Sequence, residues 1–196
     1  MPKNTPDPKM HAEIGKAVET LDTGGTLLYP TDTIWGLGSD ATRVEAIEKV
    51  ASLKDRPIAK TFLVLVADDA MLNRYVEEVP ALAWDLIDLS EKPLTIIYSN
   101  PVNLPEVLLA EDGSLGIRIV KDIFCQRLIQ KLGRPIVSTS ANRSGMPSPQ
   151  SFADIDSLIL DGVDYVVNLR QQEKQTSGAS SIIKLALNGE IKIIRE

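Results

Sequence analysis

Two short polar clusters carry most of the chemistry this chain can offer. Lys54-Asp55-Arg56-Pro57 sets an ammonium and a guanidinium two residues apart. The first is a compact point charge and the second a planar fork of donors, so together they suit the oxygens of a triphosphate. Ser138-Thr139-Ser140-Ala141-Asn142 adds hydroxyls and an amide, neutral groups able to hold a carboxylate, a phosphate oxygen or a ribose. A third cluster, Tyr29-Pro30-Thr31-Asp32-Thr33-Ile34-Trp35-Gly36-Leu37-Gly38, stands upstream. Each has a plainer reading when taken alone. Lys54 and Arg56 could be a solvated helix end whose charge complements the dipole. The hydroxyl run leads into Ser144-Gly145-Met146-Pro147-Ser148-Pro149, which reads as a loop. Together the clusters favour a site for a polyanionic substrate.

Such residues work only if the fold brings them together, and the hydrophobic pattern says how. Met1 to Lys9 holds three prolines and reads as an extended lead-in. Ile14, Val18 and Leu21 follow at helical spacing, with Gly24-Gly25 as the stop. Thr26–Tyr29 reads as a strand. Thr42-x-x-Glu45 has the form of a capping box before a stripe of Val44, Ile47 and Ala51, so a helix is expected over 43–53, with Lys54 at its end. Phe62–Val66 is a continuous apolar run suited to a strand buried on both faces. Leu82, Leu86 and Leu89 mark another helix, and 123–132 a further one. Strands are expected at 94–98, 115–119, 136–138, 165–168, 181–185 and 191–194, with the hydroxyl run beginning where its strand leaves the sheet. Alternating strands and helices, with several strands in succession near the end, predict an α/β protein with a mixed, twisted sheet and flanking helices.

Composition bounds the function. The 196 residues are 43% hydrophobic, enough for a single core, and no linker or repeat suggests a boundary within 1–196. Against 27 acidic residues stand 21 basic ones, a net charge of -6 that argues against a surface-wide trap for nucleic acid while leaving room for a local basic cleft. Cys125 is the single cysteine, so no internal disulfide forms. The first twenty residues lack the apolar run of a signal peptide, and no run of eighteen apolar residues suggests a membrane span, so a cytoplasmic protein is expected. Asn142-Arg143-Ser144 forms a glycosylation sequon that is fortuitous in such a protein. Gly36-Leu37-Gly38-Ser39-Asp40-Ala41 fits the dinucleotide fingerprint only in letters, because Pro30–Trp35 separates it from the preceding strand. Neither a P-loop nor an HExxH pair nor paired CxxC motifs occur. His11, the only histidine, reads as a surface residue of the lead-in and Cys125 as core.

In order and content, the three clusters resemble the YrdC-like family, whose active members make threonylcarbamoyl-AMP from ATP, L-threonine and bicarbonate for tRNA modification. The family's P-T-x-T-x-x-G-L-G stands here as Pro30 to Gly38, its K-x-R as Lys54 and Arg56, and its S-x-N as Ser140 and Asn142, and the likeness runs from about Lys16 to Arg195. It implies a YrdC-like α/β fold around an open concave cavity. Thr33, Arg118, Ser138 and Ser180 are then expected to face L-threonine. Arg56, Lys60, Ser114, Ser140, Ser148 and Arg195 are expected to face ATP, with Lys54, Arg56 and Asn142 as the catalytic signature. Mg²⁺ is expected to arrive with ATP, held by phosphate and water rather than by a dedicated protein site. Long-form members add a C-terminal domain, and a chain ending at Glu196 resembles the short, single-domain form.

The implied reaction needs no side-chain nucleophile. Threonine's amine combines with bicarbonate or dissolved carbon dioxide, and the resulting N-carboxylate attacks the α-phosphate of ATP and expels pyrophosphate, so the protein aligns reactants and stabilises charge. The product implies downstream tRNA threonylcarbamoyl transferase machinery as a partner. Two other readings belong to different classes: a module that contacts tRNA or double-stranded RNA by shape and phosphate, and a nucleotide-binding paralogue without synthase activity. The acidic composition weighs against the first and the intact K-x-R and S-x-N against the second. This chain departs from the family pattern in two places. Ser90-Glu91-Lys92 stands where many members have tryptophan, proline and glycine, and Arg118-Ile119-Val120-Lys121-Asp122-Ile123 where many have Arg-x-x-Asp-His-Pro.

Overall fold

A computed structural model describes residues 7–55, 62–173 and 178–196. Arg56 and Lys60 therefore lie outside the described residues, as do residues 1–6 of the expected lead-in.

Helix α1 spans Pro8–Asp22, so the expected extended lead-in already ends at Asp7. The physical reason is local: the Asp7 carboxylate accepts from the Lys9 amide, and Pro8 sits at a first-turn position whose missing N–H costs nothing. His11 accordingly lies on α1, where it is exposed. Strand β1, Thr26–Tyr29, is followed by β2, Gly36–Asp40, which is absent from the strands expected above and whose two glycines give it no apolar run to mark it. Helix α2, Val44–Leu53, does not use the expected capping box: Arg43 is its N-cap, and the Thr42 hydroxyl donates to Asp40 Oδ1 at 2.7 Å instead. Its buried stripe is Ala46, Ile47, Val50 and Ala51, with Val44 outside it.

The remaining elements are β3 Leu63–Val66, α3 Asp69–Tyr75, α4 Ala81–Leu89, β4 Leu94–Tyr98, β5 Leu115–Ile119, α5 Ile123–Leu132, β6 Ile136–Ser140, α6 Ser157–Gly162, β7 Tyr165–Val166, β8 Ser181–Leu185 and β9 Ile191–Arg195. Helices α3 and α6 run for 7 and 6 residues, too short to show a helical period in sequence. Each nonetheless starts at an aspartate N-cap, Asp68 to the Met71 amide and Asp156 to the Leu158 amide. The strand expected over 165–168 closes after Val166, and β6 runs on through Ser140, so the hydroxyl run is part of the sheet rather than its exit.

Among the described residues the strands form one mixed sheet in the order β7-β1-β2-β6-β3-β5-β4-β8-β9. Pairs β1/β7, β3/β5 and β4/β8 are parallel and the other neighbours antiparallel. The two-residue period then decides what shares a face. Gly36 pairs with Ser140, Leu63 with Ser138, Ile97 with Gly116 and Thr95 with Ile182, so hydroxyls, glycines and a few aliphatic groups stand on one face. The alternate set, including Leu37, Val137, Val64, Ile117 and Ile96, is buried in the core. No helix among the described residues is long and apolar enough to cross a membrane.

Candidate active site

The polar face of the sheet forms the floor of a cavity of about 450 Å³. Strand β2 supplies Gly36, β6 supplies Ser138 and Ser140, β5 supplies Gly116 and Arg118, and β4 supplies Thr95. The rim comes from Thr31, Thr33, Ser114, Ser148, Ser180 and Arg195. All four residues expected to face threonine line this space, as do Ser114, Ser140, Ser148 and Arg195 from the set expected to face ATP. Sequence positions from 31 to 195 are thus gathered by the sheet and the loops that leave its strands.

Each group is held by a specific partner. Thr33 is 5% exposed; its hydroxyl lies 2.9 Å from that of Thr31, which donates to the Ile34 carbonyl at 2.7 Å and accepts the Thr33 amide. Arg118, 3% exposed, stands 3.1 Å from Asp32, and its Nε is buried with no partner. Ser138 accepts from the Tyr29 hydroxyl at 2.8 Å, and Ser180 shares a hydrogen bond with Thr95 at 2.9 Å. Ser114 donates to Asp112, whose carboxyl is held well below the usual carboxylate range by Lys184 and then by Ser114. The Arg195 guanidinium donates twice to the Ser180 carbonyl, at 3.0 and 2.7 Å. Arg118 and Arg195 line one space, and there partial loss of solvent, and then the like charge of Arg118, push the Arg195 pKa down.

Lys54 and Asn142 are not among the residues lining the cavity, and burial of Lys54 excludes the plainer alternative of a solvated helix end. It is the C-cap residue of α2, as expected, yet only 1% exposed. Its Nζ donates to the carbonyls of Ser140 and Asn142, both at 2.5 Å, and its own carbonyl accepts the Ser144 amide. Asn142 donates to the carbonyls of Arg143 and Met146 while its Oδ1 is buried without a partner. These two signature residues therefore fold the loop that joins Ser140 to Ser148.

Four residues of this architecture escaped the sequence reading. Tyr29 and Thr95 are the partners of Ser138 and Ser180, and Asp32 that of Arg118. Arg170, in the left-handed region at φ 57, donates to the Thr31 carbonyl at 2.7 Å and to Asp122 at 2.5 Å, tying the segment after β7 and the N-cap of α5 to the Thr31–Thr33 turn. Asp32 and Tyr29 lie inside the Tyr29–Gly38 cluster; nothing local marks Arg170. The two departures from the family pattern meet in space, since Lys121 Nζ donates to the Ser90 carbonyl at 2.5 Å. Cys125, fully buried, donates to the Pro30 carbonyl at 3.4 Å, and burial, then Asp122, pushes its thiol pKa well up.

A mixed sheet that opens on one face into a cavity lined by hydroxyls, aliphatic side chains and two guanidinium groups defines an α/β protein with a site suited to a small anionic ligand. Comparison with known proteins narrows the class. The Sua5/YciO/YrdC family model, described as telomere recombination, matches residues 19–196, and the chain belongs to that family. A threonylcarbamoyl-AMP synthase of Pseudoalteromonas translucida is 32% identical over 182 residues, covering 91% of this chain and 95% of the relative. Sua5 of P. abyssi, solved in complex with L-threonine, is 25% identical with a TM-score of 0.80 over 88% of this chain. This chain covers 50% of that longer protein. YciO of E. coli, 24% identical, shares the fold with a TM-score of 0.81 over 97% of this chain and 91% of its own.

Proposed function

We infer that the protein is a threonylcarbamoyl-AMP synthase, condensing L-threonine, bicarbonate and ATP and releasing pyrophosphate. The observation that carries this reading is the charge of the cavity wall. In a chain of net charge -6, the ionised side chains lining it among the described residues are Arg118 and Arg195, with no carboxylate. Such a wall favours anionic ligands, and the unpartnered Arg118 Nε is a buried donor in want of an acceptor. In this reading Thr33, Arg118, Ser138 and Ser180 hold threonine, while Arg56, Lys60, Ser114, Ser140, Ser148 and Arg195 hold ATP. Lys54 and Asn142 act through the loop they fold. The names of relatives that align with 91% and 80% of the chain point the same way.

The lining hydroxyls and guanidinium groups suit an anion better than a hard cation, so Mg²⁺ would enter with the triphosphate and offset its charge. The side chains then align the threonine N-carboxylate with the α-phosphate and stabilise the leaving pyrophosphate. The product would pass to machinery that modifies tRNA. Purified protein given ATP, bicarbonate and Mg²⁺ should release pyrophosphate above background once L-threonine is added. Serine should support a weaker reaction, since one methyl group in an apolar contact discriminates by about 1 to 3 kcal/mol. Release that does not depend on threonine would overturn the assignment.

A further inference from the structure

The route by which Tyr29 reaches Ser138 suggests a function for a residue outside the cavity lining. Tyr29 ends β1 and is fully buried; Ser138 lies on β6, two strands away, with β2 between them. The phenol crosses β2 over its glycines. A Cβ at Gly36 would meet the Tyr29 ring at 3.1 Å, and one at Gly38 would meet the Tyr29 ring at 3.1 Å and the Val137 carbonyl at 2.2 Å. The glycine pair thus opens a lane along which the hydroxyl arrives at Ser138 Oγ.

The direction of that bond matters. A phenolic proton lies near the ring plane, and here the geometry makes Tyr29 the donor and Ser138 the acceptor. With its oxygen engaged, Ser138 has its own proton left to give. No group among the described residues accepts it, and Ser138 lines the cavity. We propose that Tyr29 is a positioning residue that commits the Ser138 hydroxyl to donating into the cavity, so that this point of the wall selects a ligand acceptor such as a carboxylate oxygen. Burial, with the nearby Cys125, keeps the phenol protonated and therefore a donor, outweighing the opposite pull of Ser138 and Arg118. On the synthase reading, on which this proposal rests, the acceptor belongs to threonine.

Titration with L-threonine and, separately, with MgATP tests it on wild type, Tyr29→Phe, Ser138→Ala and the double variant. Tyr29→Phe keeps the ring and removes the donor, so threonine affinity should fall about threefold to tenfold, the lower range for one hydrogen bond, with ATP affinity within about twofold. In the Ser138→Ala background the same change should have no effect on threonine, because no hydroxyl is left to orient. A purely packing role for Tyr29 would lower affinity equally in both backgrounds and would overturn the proposal, as would wild-type threonine affinity in folded Tyr29→Phe. Should Tyr29→Phe fail to fold, Ser138→Ala decides alone: unchanged threonine affinity overturns the proposal, and a selective loss supports it. Wild-type protein that binds no threonine sinks the synthase reading itself, an outcome distinct from wild type binding threonine while Tyr29→Phe matches it.

Discussion

Lys54 shows what a single side chain can hide. Its sequence neighbours, a helix behind and Asp55-Arg56-Pro57 ahead, describe a cation in solvent, whereas its ammonium is buried against two carbonyls 86 and 88 residues away. Lys54→Ala should therefore cost about 2 kcal/mol or more, because two buried acceptors lose a charged donor. A denaturant melt measures that loss. Lys54→Ala with wild-type stability and lowered activity would return the ammonium to a direct role. What was legible was the residue type and its place at the helix end. The partner was not, since a long side chain can reach any carbonyl the fold brings near, and sequence records no such reach. Arg170 is the extreme case, with no motif around it and contacts to Thr31, Asp122 and Glu173.

At the scale of elements, strand β9 both closes the sheet and delivers Arg195. All five of its residues are exposed, including Ile191, Ile193 and Ile194, so pairing to β8 and the Arg195 bonds to Ser180 fix its end. Arg195→Ala should weaken threonine as well as ATP, since it frees the Ser180 carbonyl beside the threonine set. A charge-assisted bond of this kind is worth about 1.5 to 3 kcal/mol. Titration calorimetry with each ligand distinguishes this from a loss confined to ATP. The strong apolar runs made most strands readable, among them β3, β4, β5 and β8. Strand β2 was not, because it begins Gly-Leu-Gly and its glycines serve a tyrosine ring crossing from the next strand. Helices α3 and α6 failed for want of length, although their aspartate caps were in plain view.

For the molecule as a whole, the cavity was legible through motif order, and the charge contrast between an acidic chain and a cationic wall emerged only from folding. The acidic groups that matter for stability lie elsewhere. Glu13 is buried on α1, where burial alone would raise its pKa; hydrogen bonds from Tyr165 and the Asn168 amide, with Lys16, more than offset that and hold it low. A carboxyl lowered on folding adds stability above its unfolded pKa and loses it as pH falls through the folded one. Thermal melts should thus show wild type losing stability on the acid side of the ordinary carboxylate range, with Glu13→Gln flattening that slope. An unchanged slope would assign acid sensitivity to other carboxyls.

The lone thiol gives the chain a clock. Cys125 sits beneath Pro30, at the start of the turn that carries Thr31 and Thr33, and its buried, protonated sulfur cannot react with an alkylating reagent until that junction opens. With no second cysteine to confuse the signal, the rate of labelling in native buffer counts openings of the turn beside the cavity. Any ligand that grips Thr33 or Arg118 must slow the clock, and one that binds elsewhere leaves it running at its resting rate.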